Sequence, residues 1–231
     1  MALSKEDNEL LTRVENGAPM GEMIRQHYWL PAVPSIKLEA DGAPVRIRLL
    51  GQNFIAFRVT DGTAGVIDEQ CPHRKASLAL GRNEDNGIRC LYHGWKMNIH
   101  GDVLEMASEP ASSGMCQKVK HKAYPVQEWG GLVWTYMGPQ DAVPTFVPPR
   151  WAPTADTRVS IAKAILPCNW AQVLEGAIDS AHSSSLHSSD IVPARVNSAQ
   201  ALPNQFLRPS TDKAPRMQVQ KAGYGFRYAA I

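Results

Sequence analysis

The chain has 231 residues, enough for one large domain or about two small ones, and 44% of them are hydrophobic, ordinary for a globular protein with a real core. Its 24 basic and 22 acidic residues leave a formal net charge of +2, which gives no electrostatic footprint for nucleic acid or an anionic membrane surface. The start turns polar within a few residues and no apolar run approaches the roughly 20 residues of a bilayer span. The expected compartment is therefore the cytoplasm, where the four cysteines read as metal ligands plus spares instead of disulfides.

In chain order, Ser4-Lys5-Glu6-Asp7 resembles a capping box, and Leu10, Leu11 and Val14 follow at helical spacing. Asn16-Gly17-Ala18-Pro19 stops this helix, and a second is expected over 20–27, with His27 a structural or surface residue. From Val45 the period changes to two, with Val45, Ile47 and Leu49 alternating with arginines. Strands are expected near 54–59, 66–67, 88–89, 97–104 and 131–137, with Asp61-Gly62 and the tip at His100-Gly101 marking tight turns. The basic run 118–122 reads as a solvated face that includes His121, and Cys116 and Cys168 as small, partly buried residues. Five prolines between 139 and 153 make a semi-rigid linker. A strand at 158–165 should open a second domain, followed by a helix that Asn169 caps. That helix buries Trp170, Val173, Leu174, Ala177, Ile178 and Ala181.

Two stretches carry the chemistry. Cys71-Pro72-His73 and Cys90-Leu91-Tyr92-His93 are short loops that each offer one thiolate and one imidazole. A Rieske [2Fe–2S] cluster needs that set, two cysteines on one iron and two histidines on the other. Structural zinc takes the same ligand types, but zinc sites usually pair Cys with Cys and His with His inside each half-site. The mixed half-sites favour the cluster. The second stretch holds Asp179, His182 and His187. Asp179 and His182, three apart, share a helix face near Glu175. His187 would point about 140° away at roughly 100° per residue, so the helix must end or deform at Ser183-Ser184-Ser185 if both histidines are to meet one metal. Two histidines and a carboxylate suit mononuclear non-haem Fe(II). The other reading is a helix C-terminus with two favourable histidines; beside a cluster, iron is favoured.

This order of motifs, with the proline-rich linker and Asn169-Trp170 between them, resembles the α subunits of Rieske non-haem iron ring-hydroxylating oxygenases. The opening run 3–11 and the segment 207–213 are similar to the phthalate-oxidising branch. The resemblance implies an α+β fold class, an all-β Rieske domain followed by the start of a helix-grip catalytic domain. Its expected boundaries are 1–37, N-terminal helices packing on the catalytic domain; 38–138, the Rieske domain; 139–157, the linker; and 158–231, part of the catalytic domain. It makes Cys71, His73, Cys90 and His93 the cluster ligands and His182 and His187 iron ligands. Asp179 becomes a carboxylate linking His182 to His93 of a neighbouring subunit in a ring, commonly a trimer. The expected activity is cis-dihydroxylation of an aromatic carboxylate, phthalate first, with O2 and electrons from an NADH-dependent flavin/ferredoxin-type reductase. A monooxygenase or O-demethylase, or a pure Rieske electron carrier, is the alternative. Arg195 and Arg208 are candidates for the substrate carboxylates, because guanidinium binds carboxylate in a bidentate way, and Ser180 is a possible donor. The family's third iron ligand, an acidic residue further downstream, has no match before Ile231, so a longer parent polypeptide is expected. Where many members have Glu-Asn, this chain has Glu175-Gly176.

Overall fold

The structure, a computed structural model, describes residues 3–149, 160–182, 186, 214–223 and 225–231. They form two compact units, Met1–Ile165 and Leu166–Ile231. Helix α1 (Lys5–Thr12) starts where Ser4 Oγ accepts the Asp7 N–H at 3.0 Å and donates to the Asp7 carboxylate at 2.8 Å, so the expected cap forms. Helix α2 (Pro19–His27) has proline at its first position, where no N–H is needed. Gly21 lets α2 pack closely on the connection that follows α1, since a Cβ there would lie 1.9 Å from the Val14 carbonyl oxygen.

Among the described residues these helices contact the β-rich unit that follows them. Arg25 donates to the Gln52 side chain and the Leu50 carbonyl, at 3.2 and 3.1 Å, and the Tyr136 hydroxyl donates to Gln26 O at 3.1 Å. The expected start of the Rieske domain is residue 38. Strand β1 (Trp29–Pro34), missed in the sequence, already belongs to the sheet system. It carries Pro31 and Pro34, which remove ladder donors, and it survives as an edge strand with an irregularity between Pro31 and Val33.

The strands that follow are β2 (Val45–Leu49), β3 (Gln52–Arg58), β4 (Ala64–Asp68), β5 (Arg82–Glu84), β6 (Gly87–Arg89), β7 (Lys96–Met97), β8 (Val103–Glu105), β9 (Ala123–Tyr124), β10 (Val126–Trp129) and β11 (Leu132–Tyr136). Among the described residues of this unit they pair antiparallel in three sheets, β1-β11-β10, β2-β3-β4-β9 and β5-β6-β7-β8. The middle sheet is covered on both faces. Ile55, Phe57 and Ile67 point into one core, with Leu78, Ile88 and Met97; Phe54, Ala56 and Val66 point into the other, with Val33 and Val133. That explains why residues 54–57 form an uninterrupted apolar run: a strand buried on both faces has no polar side to show. Leu78 is fully buried in the first core, beneath the Cys71 loop. Leu78→Ala is expected to lower stability by about 2–5 kcal/mol, read from denaturant midpoints.

The linker begins by docking on the β1–β11 sheet. Trp29 Nε1 donates to Pro144 O at 2.9 Å, and Phe146 sits edge-on to Trp29. Further on, the described part of the expected 158–165 strand, residues 160–165, is irregular and exposed, with no ladder partner. Lys163 Nζ instead reaches the Ala32 carbonyl at 3.4 Å.

In the second unit, α3 (Trp170–Ile178) is capped as expected by Asn169, whose side chain accepts the Ala171 N–H at 2.8 Å. Its apolar residues, expected to be buried, are exposed among the described residues: Trp170, Val173, Leu174 and Ile178 show between 36% and 46% of their surface. Cys168, just before it, is exposed as well, against the expectation of partial burial. Strands β12 (Met217–Ala222) and β13 (Gly225–Ala230) make an antiparallel hairpin, so the strand expected at the chain's end is present.

Candidate metal centres

Each candidate cluster loop is the tip of a hairpin, and the two tips are closed in the same way. In the first, the Cys71 N–H donates to Ala76 O at 2.9 Å and the Lys75 N–H to Cys71 O at 3.0 Å. In the second, the Cys90 N–H donates to Trp95 O at 2.8 Å and the Gly94 N–H to Cys90 O at 3.1 Å. The fourth residue after each cysteine is left-handed, Lys75 at φ 60° and Gly94 at φ 72°. The Gln70–Ser77 bridge flanks the first tip and the Arg89–Lys96 pair flanks the second.

The flanks are tied down electrostatically. Glu69 accepts from Ser77 Oγ at 2.5 Å and from Arg46 at 2.6 Å. Burial alone would raise the Glu69 carboxyl, but the Ser77 hydroxyl and the Arg46 guanidinium outweigh it and hold the group below the usual carboxylate range. Arg89, paired with Glu84 and Glu105, donates to the Gly94 carbonyl at 3.0 Å and so braces the second tip from below.

The structure brings the four expected ligands together. Cys71 and Cys90 are buried, while His73 and His93 stand half-buried with ring centroids 4.5 Å apart. Among the described residues no three His, Cys, Asp or Glu side chains group tightly enough for a single metal ion. These four instead arrange as a thiol pair and an imidazole pair.

Two features of that arrangement fit a cationic cluster. His73 Nδ1 is buried and has no hydrogen-bond partner, a cost of about 1–3 kcal/mol unless something fills the need. Burial, reinforced by the neighbouring Cys90, pushes the Cys71 thiol up to about 11 even though the His73 backbone N–H lowers it. Iron ions bound by Cys71 and Cys90 would supply the positive charge that an otherwise unpaired thiolate lacks there. His93 is held below the usual histidine value by desolvation and by repulsion from His73 and Arg74, which keeps its ring neutral as a ligand must be.

His121, expected on a solvated face, is buried instead. Its Nε2 donates to the Asp68 carbonyl oxygen at 2.8 Å. Desolvation lowers its pKa, with Lys75 adding repulsion against the opposing pull of Asp68. The unfolded chain therefore takes up this proton first, so stability is full above about pH 6.5 and is lost as pH falls through the lower folded value. Melting temperature should drop between pH 7 and 5, and His121→Gln should flatten that slope.

At the second candidate centre the helix ends earlier than expected. Asp179 is the C-cap of α3, with ψ 104°, so it does not share a helical face with His182. Its Oδ1 accepts the Ala181 N–H at 2.8 Å, closing a turn that brings His182 Nδ1 to 3.5 Å from Oδ2. The pair forms by a carboxylate turn. Gln172 donates to Glu175 at 3.3 Å, and Ser180 is half-buried. His187, Arg195 and Arg208 lie outside the described residues.

Sequence reasoning assigned no role to Trp95 or Ser108. Trp95 stacks on the His73 ring, centroids 4.6 Å apart and planes 5° from parallel, and donates Nε1–H to Ser108 Oγ at 3.0 Å. Trp95 at least lies two residues past His93 in the sequence. Ser108 gave no signal, because its contact is made only by folding.

Two family models match the chain: the Rieske [2Fe-2S] domain over residues 28–129 and the LigXa C-terminal domain like family over residues 135–231. The oxygenase subunit of phthalate 4,5-dioxygenase from Pseudomonas putida is 66% identical over 99% of this chain and 52% of that protein. The chain thus carries a Rieske [2Fe-2S] domain and is similar along its length to the oxygenase subunits of Rieske non-haem iron oxygenases. Another relative, the 3-chlorobenzoate-3,4-dioxygenase oxygenase subunit of Comamonas testosteroni, is 39% identical over 100% of the chain and 52% of its own length. Among solved structures, the terminal oxygenase of carbazole 1,9a-dioxygenase from Novosphingobium sp. KA1 aligns with TM-score 0.62 and 29% identity, covering 71% of this chain and 44% of that one. The chain spans about half the length of the curated relatives it matches. The α+β class, a Rieske [2Fe–2S] domain followed by catalytic-domain sequence, stands. No helix among the described residues is long and apolar enough to cross a membrane.

Proposed function

We propose that this chain is part of the terminal oxygenase of a phthalate-type ring-hydroxylating dioxygenase, with an aromatic carboxylate as substrate. The observation that carries the reading is the 66% identity to the phthalate 4,5-dioxygenase oxygenase subunit, alongside the paired cluster loops. In this reading Cys71 and Cys90 hold one iron of the cluster and His73 and His93 the other. His182, with His187, holds a mononuclear Fe(II). The two centres supply, respectively, single electrons and O2 activation.

The chain's own residues do the rest. The hairpin tips keep both cysteine sulfurs buried and hold the two imidazoles side by side, and the half-buried His93 offers an edge toward a neighbouring subunit. Asp179 spends two of its roughly four lone-pair sites on Ala181 and His182, which leaves room for a donor from another chain, the partner's His93 in a ring of subunits. Substrate carboxylates call for cationic partners, and Arg195, Arg208 and Ser180 remain the candidates.

A ferredoxin- or reductase-type donor, drawing on NADH, completes the system. Exposed Arg48, Lys75, Lys120 and Lys122 line a groove of about 630 Å³ beside the first tip, a cationic face for steering it. Reduction by that donor should slow several-fold as salt rises from 0.05 to 0.5 M, while reduction by dithionite does not.

The test is turnover of phthalate with labelled O2. A cis-dihydrodiol carrying both oxygen atoms supports the reading. No product from phthalate, with a phenol plus formaldehyde from a methoxybenzoate offered in its place, supports instead O-demethylation, the activity named for a 35% identical relative, the 5,5'-dehydrodivanillate O-demethylase oxygenase subunit.

A further inference from the structure

We propose that Trp95 is a positioning residue for His73, and that Ser108 in turn positions Trp95, so that the second hairpin tip sets the orientation of a ligand on the first. This rests on His73 being a cluster ligand. The His73 Nδ1 has no hydrogen-bond partner, so packing must fix the ring's tilt. One face is covered by the indole at 4.6 Å and 5°, and His93 stands edge-on at 4.5 Å and 65°.

The indole is itself fixed. It is 5% exposed, belongs to the core that holds Leu78, Met97, Val103 and Met106, and its only N–H is taken by Ser108 Oγ at 3.0 Å. The Ser108 segment is held against the same tip, since a Cβ on Gly94 would lie 3.0 Å from the Ala107 methyl. Ser108 therefore ties the underside of one loop to the ligand of the other.

The stack has an electronic consequence. Reduction makes the cluster more negative. The indole presents the electron-rich face of its π system to the imidazole and keeps water from it, and both effects oppose the added charge. Removing the indole should therefore make the cluster easier to reduce and leave the His73 ring free to sample more than one tilt.

The test uses the purified, iron-loaded protein with redox titration and electron paramagnetic resonance, independent of turnover. At the potential where the unaltered protein is half reduced, Trp95→Leu should raise the reduced-to-oxidised ratio at least threefold, about 30 mV for a one-electron couple, and broaden the spectrum. Trp95→Phe, which keeps a ring on the imidazole, should restore most of both. A Trp95→Leu protein with its cluster intact, its ratio unchanged and its spectrum unbroadened would overturn the proposal. Should that variant not accumulate with a cluster, Ser108→Ala decides. A broadened spectrum supports the tether, and an unchanged spectrum and ratio rule it out. His73→Ala serves as the separate control, because a Rieske spectrum surviving there would dismiss the ligand assignment itself.

Discussion

Alanine at His73 is expected to abolish the Rieske-type visible and paramagnetic spectra and to bring oxygenase turnover down to background. The reason lies in what the ring gives up on folding. Its Nδ1 is buried without a partner, an arrangement that persists in folded proteins only when another interaction compensates, as ligation of an iron ion would. Loss of that nitrogen leaves one iron of the pair short of a ligand, with Cys71 and Cys90 still in place. Cysteine at the same position adds a thiolate and its negative charge, so any cluster that assembles should be reduced at a lower potential than the unaltered one. The comparison residue is His100, exposed at a hairpin tip where its backbone N–H donates to Asn98 Oδ1 at 2.9 Å. His100→Ala should leave the spectra untouched. A normal Rieske spectrum in His73→Ala would remove His73 from the ligand set.

What could be read in advance follows from the range of each interaction. The cluster loops were legible because their chemistry sits within three residues of each cysteine, and a single hairpin tip fulfils it. The middle sheet was legible because β2 alternates in polarity and β3 is a solid apolar run. Strand β1 was not, since Pro31 and Pro34 argue against a strand and only its edge position tolerates them. His121 was misread for a different reason. The signal was present: exposed Lys118, Lys120 and Lys122 alternate with half-buried Val119 and buried His121, a period of two that the count of positive charges obscured. At the second centre the Asp179–His182 pairing was anticipated with the wrong backbone. Spacing by three suits a helical face, but Asp179 competes for the Ala181 N–H and ends the helix one residue before itself. Asx chemistry of this kind overrides periodicity at a single residue, so a pattern read over many residues does not register it.

That turn makes Asp179→Asn the most informative change at the second centre. The carboxylate serves two neighbours at once, accepting the Ala181 N–H at Oδ1 and facing His182 Nδ1 across 3.5 Å at Oδ2. An asparagine has one acceptor and one donor. Whichever way its amide is turned, an NH2 group meets either the Ala181 N–H or the proton on His182 Nδ1. If the turn keeps the oxygen, His182 must move its proton to Nε2, the nitrogen it would otherwise offer to iron. Removing a carboxylate that fixes the tautomer of a ligating histidine typically costs 10–100-fold, so substrate-dependent oxidation of the reduced cluster should slow by about that factor. The cluster spectrum, set in the other unit, should be unchanged, and the variant should need excess Fe(II) to recover part of its turnover. Asp179→Glu, which keeps the charge on a longer arm, should lie between the two. Full-rate hydroxylation by Asp179→Asn without added iron would mean that His182 is oriented by something else and that electrons reach the iron without this carboxylate.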